Sequence, residues 1–147
     1  MRYTPAKYAD SRRLFGRRVR GTRWPVAVGG SVDRACSEAA FMQHQIAIVV
    51  REYLAEARTT QGHLAEDLGW RRERLARLLG GQAVMSFQDA ALLLSACGQS
   101  LLTVAWQSAD PDERPLIEFE VLQTYLQRQL GLVEERISGT AQARPST

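Results

Sequence analysis

The chain has 147 residues, 45% of them hydrophobic and 24% charged, the proportions of one folded domain with room for an arm or tail. Its formal net charge of +3 is unevenly spread: residues 1–34 carry Lys7 and eight arginines against Asp10 and Asp33, a net of +7, whereas residues 35–147 carry ten arginines against fourteen acids, a net of −4. A basic arm ahead of a mildly acidic body points to a polyanionic partner.

The inventory excludes several chemistries. Lys7 is the sole lysine, so a Ser–Lys peptidase has no base in a folded C-terminal part. His44 and His63 are the only histidines, and Cys36 and Cys97 lie far apart, which leaves no set of about four ligands for zinc. No metal and no cofactor are expected. Gly29-Gly30-Ser31 alone is too weak a phosphate loop, and no nucleophile–base pair stands out, so the expectation is a non-enzyme. No apolar run approaches the ~20 residues that span a bilayer. The N-terminus has no signal-peptide core, and two reduced thiols point to the cytoplasm.

In chain order, residues 1–36 read as a largely irregular basic arm. Pro5, Gly16, Gly21, Pro25, Gly29 and Gly30 interrupt any helix longer than about two turns, and only a short helix around Ala9–Phe15 is open. Its Arg12, Arg13, Arg17, Arg18, Arg20 and Arg23 are candidate DNA contacts, lying along the minor groove or neutralising phosphates. The rival readings are a disordered solubilising extension or a segment that docks a protein. A chain beginning at Met42 is expected to keep the whole helical domain.

Residues 37–108 carry that domain. Phe41, Ile46, Val49, Val50, Tyr53, Leu54 and Ala57 recur at three- and four-residue spacing, predicting a helix from Ser37 to Arg58. Short helices follow at Gln61–Leu68, Arg72–Leu79, Phe87–Cys97 and Ser100–Gln107. Gly69, Gly80-Gly81 and Gly98 suit the C-termini of three of them. Thr60 suits an N-cap, and Ser86 with Asp89 forms a capping-box variant. The fold class is therefore all-α, with five helices in this domain.

Residues 109–147 form a third segment. Asp110 to Pro115 break the chain, after which Ile117, Phe119, Leu122, Leu126, Leu130, Val133 and Ile137 favour one long amphipathic helix. Ile117–Val121 also alternates like a strand. The helix, taken as residues 116–137, either packs back on the domain or pairs with a second copy, and homodimerisation is the favoured reading. A loose tail follows.

The informative stretch is Thr60-Gln61-Gly62-His63-Leu64-Ala65-Glu66-Asp67-Leu68-Gly69, followed by the Arg72–Leu79 helix. Two helices crossing steeply need a small residue at the contact, supplied by Ala65. The turn between them needs a residue tolerating positive φ, supplied by Gly69. Leu64, Leu68, Leu75, Leu78 and Leu79 supply the buried side. Thr60-Gln61, Leu64-Ala65, Leu68-Gly69, Leu75, Gly81 and Ala96-Cys97-Gly98-Gln99-Ser100-Leu101 together resemble the Cro/phage-repressor helix-turn-helix family, also called XRE, over about Ile46 to Trp106. The chain departs from that pattern at Leu54 and Leu79, where an Arg–Glu pair is frequent, at Arg71, where a Ser or Thr cap is usual, and at Gly62.

The resemblance implies that Arg72–Leu79 is a recognition helix entering the major groove. Arg72 and Arg77 are then the leading base readers, through bidentate contacts to guanine, with Arg74 flanking them. Glu73 either accepts from cytosine N4 or holds Arg77 as an i,i+4 partner. Thr60, Gln61, Arg71 and Gln82 are implied backbone contacts. Trp70 reads as a packing residue, His63 as a surface residue and Cys97 as core. The implied function is a sequence-specific transcriptional regulator, most simply a repressor of the phage-immunity type acting by occupancy of a double-stranded operator. The alternative is an antitoxin that regulates its own operon and binds a toxin as protein partner.

Overall fold

The computed structural model describes residues 3–20 and 23–108, together with residues 123, 124, 126, 127, 130 and 131. The chain divides into two units, residues 1–108 and 109–147. In the second unit the described residues are helical. The expected helix start at Ile117, its strand alternative, the dimerisation helix as a whole and the tail lie outside the described residues.

The first unit is all-α: two single-turn 3-10 helices, Pro5–Lys7 and Arg12–Leu14, precede α1 (Ser31–Glu56), α2 (Gln61–Asp67), α3 (Arg72–Leu79), α4 (Phe87–Ala96) and α5 (Leu101–Ser108). No strand occurs among the described residues. The central element is α1. Its buried positions Ser37, Ala40, Gln43, Ala47, Val50 and Leu54 recur every three or four residues, which lines one face of a 3.6-residue helix. Against that face pack the first 3-10 turn, α3, α4 and α5, while α2 packs on α3 and α4 on α5. Leu75, Leu79, Leu93 and Leu94 are fully enclosed at 0% exposure, each contributing about 1.5–3 kcal/mol of burial free energy.

The helix ends follow local chemistry. The Thr60 hydroxyl accepts the His63 backbone N–H at 3.2 Å and starts α2. Ser86 and Asp89 satisfy each other's backbone N–H groups in a reciprocal capping box at α4. Arg71 makes no side-chain cap for α3. Between α2 and α3 the chain turns at Gly69 with φ +67°, a conformation that costs an L-residue with a Cβ about 1–2 kcal/mol.

Several expectations are corrected. The helix expected from Ser37 begins at Ser31, because Gly29 and Gly30 stop it only upstream and its first turn, exposed on all sides, carries no apolar stripe to mark it. Residues 3–20 are largely irregular apart from two 3-10 turns, but they pack on the helical unit rather than extend freely from it. Pro5, Ala6, Phe15 and Gly16 are buried, and the Ala6 N–H donates to the Gly81 carbonyl at 3.0 Å. The helix expected around Ala9–Phe15 is instead a single 3-10 turn at Arg12–Leu14. A Cβ at Gly81, where φ is +67°, would stand 2.8 Å from the Phe15 ring and 2.9 Å from the Ala6 nitrogen, so the close approach requires glycine. A chain from Met42 would lack Phe15 and the first turns of α1, and so would not retain the whole unit.

Candidate nucleic-acid interface

The amphipathic split of α3 defines one side of the site. Leu75, Leu78 and Leu79 are buried, whereas Arg71, Arg72, Glu73, Ala76 and Arg77 are exposed. The helix is therefore fixed through its leucines and presents a charged face. Arg72 lies next to the start of α2, its Cδ 3.9 Å from the position a Cβ would take at Gly62. Among the described residues the ion pairs are Arg18–Glu52 and Arg74–Asp89. Glu73 and Arg77 thus stand unpaired with each other, and the i,i+4 alternative is not realised.

Arg74, expected to flank the base readers, has partners within the fold. Its guanidinium lies 4.3 Å from the centroid of the Trp70 ring and bonds the Asp89 carboxylate at 2.7 Å. Asp89 is itself largely buried and caps α4. Arg74 therefore ties α3 to the preceding turn and to α4, while its side chain stays 48% exposed. Trp70 is half-buried and serves as the packing surface under Arg74, a stacking that contributes about 0.5–1 kcal/mol at an exposed site.

The backbone candidates surround this helix. Thr60 is exposed and engaged as the α2 cap, and Gln61 is half-buried beside it. Gln82 is exposed, and its N–H closes the end of α3 on the Arg77 carbonyl at 2.9 Å. The loop after α3 is held from behind by Gln43, a residue the sequence reading did not single out. The Gln43 side-chain amide donates to the Leu78 and Ala83 carbonyls at 2.8 Å each, and its oxygen accepts the Met85 N–H at 3.0 Å.

The N-terminal arginines divide into groups. Arg12, Arg13, Arg20 and Arg23 are exposed. Arg18 makes a two-pronged contact with Glu52 on α1, at 2.7 and 3.3 Å. Arg17 and Arg18 line a groove together with Arg51, Glu52, Thr59 and Gln61. The folding of residues 3–20 onto α1 thus brings two of the arm's arginines into one groove with Gln61. Arg51 was missed because only its tertiary neighbours distinguish it from any other helix-surface arginine.

His44 secures the same segment. Its Nδ1 accepts the Gly16 N–H at 2.8 Å, and its ring lies 5.4 Å from Phe15 and 5.1 Å from Trp24 between centroids. Burial holds its pKa below the ordinary 6.5. A histidine whose folded pKa is depressed stabilises the fold fully above its unfolded pKa and loses that contribution as pH falls toward the folded value. The melting temperature is therefore expected to fall between pH 6.5 and 5, and to fall less in His44→Gln, whose amide oxygen keeps an acceptor. An equal fall in the variant would assign the effect to other groups.

Cys36 and Cys97 are both free thiols, and burial pushes the Cys97 thiol up to about 11. Among the described residues no cluster of three or more His, Cys, Asp or Glu side chains is placed to hold a metal ion. Among the same residues no single helix is long and apolar enough to cross a membrane. No family model, no curated protein and no solved structure matches the chain.

Proposed function

We propose that the chain is a sequence-specific DNA-binding transcriptional regulator without enzymatic activity, in which α2 and α3 form a helix-turn-helix. The observation that carries this reading is the exposed face of α3. Arg72, Glu73 and Arg77 project from a helix whose other side is locked by Leu75, Leu78 and Leu79, next to the capped start of α2. A rigid short helix with two unpaired arginines on its outward face fits the major groove, where arginine reads guanine by paired hydrogen bonds. In this reading Thr60, Gln61, Arg71 and Gln82 contact phosphates on either side. The protein acts as a repressor by occupying its operator in the bacterial cytoplasm, and a second copy joined through residues 116–137 would give an inverted-repeat site.

The test is selection of bound duplexes from a random library, followed by binding measurements on the enriched sequence. Arg77→Ala is expected to cost about 1–3 kcal/mol and to relax preference at one base position. Gln61→Ala is expected to weaken all sequences alike. Arg74→Ala is expected to lower stability as well as binding, because it breaks the tie to Asp89. Absence of any enriched sequence would remove the reading.

A further inference from the structure

The groove between the N-terminal segment and α1 holds a charge that the fold leaves uncompensated. Arg51, on α1, is half-buried, and its Nε is enclosed with no hydrogen-bond partner. Its guanidinium makes one long bond, 3.4 Å to the Leu79 carbonyl at the end of α3. That helix end offers a partial negative charge, but no carboxylate is paired with Arg51. Arg17 stands close enough to repel it, and burial together with this repulsion holds the Arg51 pKa below its ordinary value. The single carboxylate lining the groove, Glu52, is taken by Arg18 at 2.7 Å. Two like charges thus share an open groove of about 740 Å³ with Thr59 and Gln61, and its one lining carboxylate is already paired.

We propose that this groove is a backbone-phosphate site of the DNA complex, in which Arg17 and Arg51, with Gln61 in the same groove, bind a phosphodiester. The proposal rests on the DNA-binding reading above and extends it to a residue of α1 and to a surface that exists only because residues 3–20 are folded. An anion there relieves the Arg17–Arg51 repulsion, and a guanidinium held in place loses little freedom on binding one. The phosphate is that of a duplex rather than a free ion, because the groove continues to Gln61 at the start of α2, beside Arg72 of the exposed α3 face.

The experiment uses the full chain and a duplex of mixed sequence, with affinity measured across a salt series. Each neutralised phosphate contributes about 0.9 to the slope of log K against log salt. Because Arg17 and Arg51 share one phosphate, the double variant is expected to reduce the slope by about 0.9, and Arg17→Gln and Arg51→Gln each by no more than that. Arg34→Gln, exposed on α1 outside the groove, leaves it unchanged. Melting curves accompany every variant: Arg17 is exposed, so its replacement leaves the fold intact, and replacing Arg51 removes a repelled charge and keeps or raises the melting temperature. A double variant with the wild-type slope overturns the proposal. So does a slope that is unchanged while inorganic phosphate stabilises the wild type and not the double variant, which would make the groove a small-anion site. A wild-type chain that binds no duplex would instead remove the DNA-binding reading itself.

Discussion

Phe15→Ala is expected to lower the free energy of unfolding by about 3–5 kcal/mol, the range for deleting an enclosed aromatic ring. The ring is 2% exposed. It meets His44 and Trp24 edge-on, with centroids 5.4 and 6.4 Å away, and covers the place where Gly81 lacks a side chain. Losing it opens a cavity between α1, the turn after α3 and the N-terminal segment. Urea unfolding with wild-type and variant chains measures the change. Trypsin gives an independent reading, since Arg12, Arg13, Arg17 and Arg18 become cleavable sites once the segment lifts. A loss no larger than the about 0.5 kcal/mol typical of surface positions would show that residues 3–20 behave as a free arm.

Gln43→Leu is the second large effect, expected at about 2–4 kcal/mol despite a nearly unchanged volume. The substitution keeps the packing and removes the hydrogen bonds. The Leu78 and Ala83 carbonyls and the Met85 N–H all lose a partner that reaches them from α1; Leu78 keeps the Gly81 N–H at 3.2 Å, and each buried backbone group left unpaired costs about 1–3 kcal/mol. Partial hydration of the loop limits the sum. Because Gln43 sets the path of the chain from α3 to α4, hydrogen exchange is expected to speed up at Met85 before it does at Leu93 or Leu94. A variant as stable as the wild type would mean that water replaces the amide without loss.

The parts of the fold that sequence made legible are those with local causes. The limits of α3 at Arg72 and Leu79 coincide with the expected ones, because a glycine-bounded turn and three leucines at helical spacing act within a dozen residues. The Thr60 cap and the Ser86–Asp89 box were readable for the same reason, since each joins residues three apart. The burial of residues 3–20 was not readable. Prolines, glycines and arginines describe a chain without long helices, and they are silent on whether one phenylalanine finds a distant pocket. The site divides likewise. The exposure of Arg72, Glu73 and Arg77 follows from helix geometry, whereas the Arg74–Asp89 pair joins residues fifteen apart in sequence. Arg51 became distinct only once Gly16, Arg17 and the Leu79 carbonyl were placed around it.

The hydrogen bond from Ala6 to the Gly81 carbonyl also sets an order of events during synthesis. It closes a loop spanning most of the first unit, and closures of that length come late because their entropy is lost before their contacts form. On a ribosome making about 5–20 residues per second, the first segment waits several seconds for its partner to be made. Throughout that interval Ala6 and Phe15 lack the turn after α3 that packs against them. Contacts with α1, such as that of Gly16 with His44, use residues made earlier and hold the segment near its place until the turn emerges.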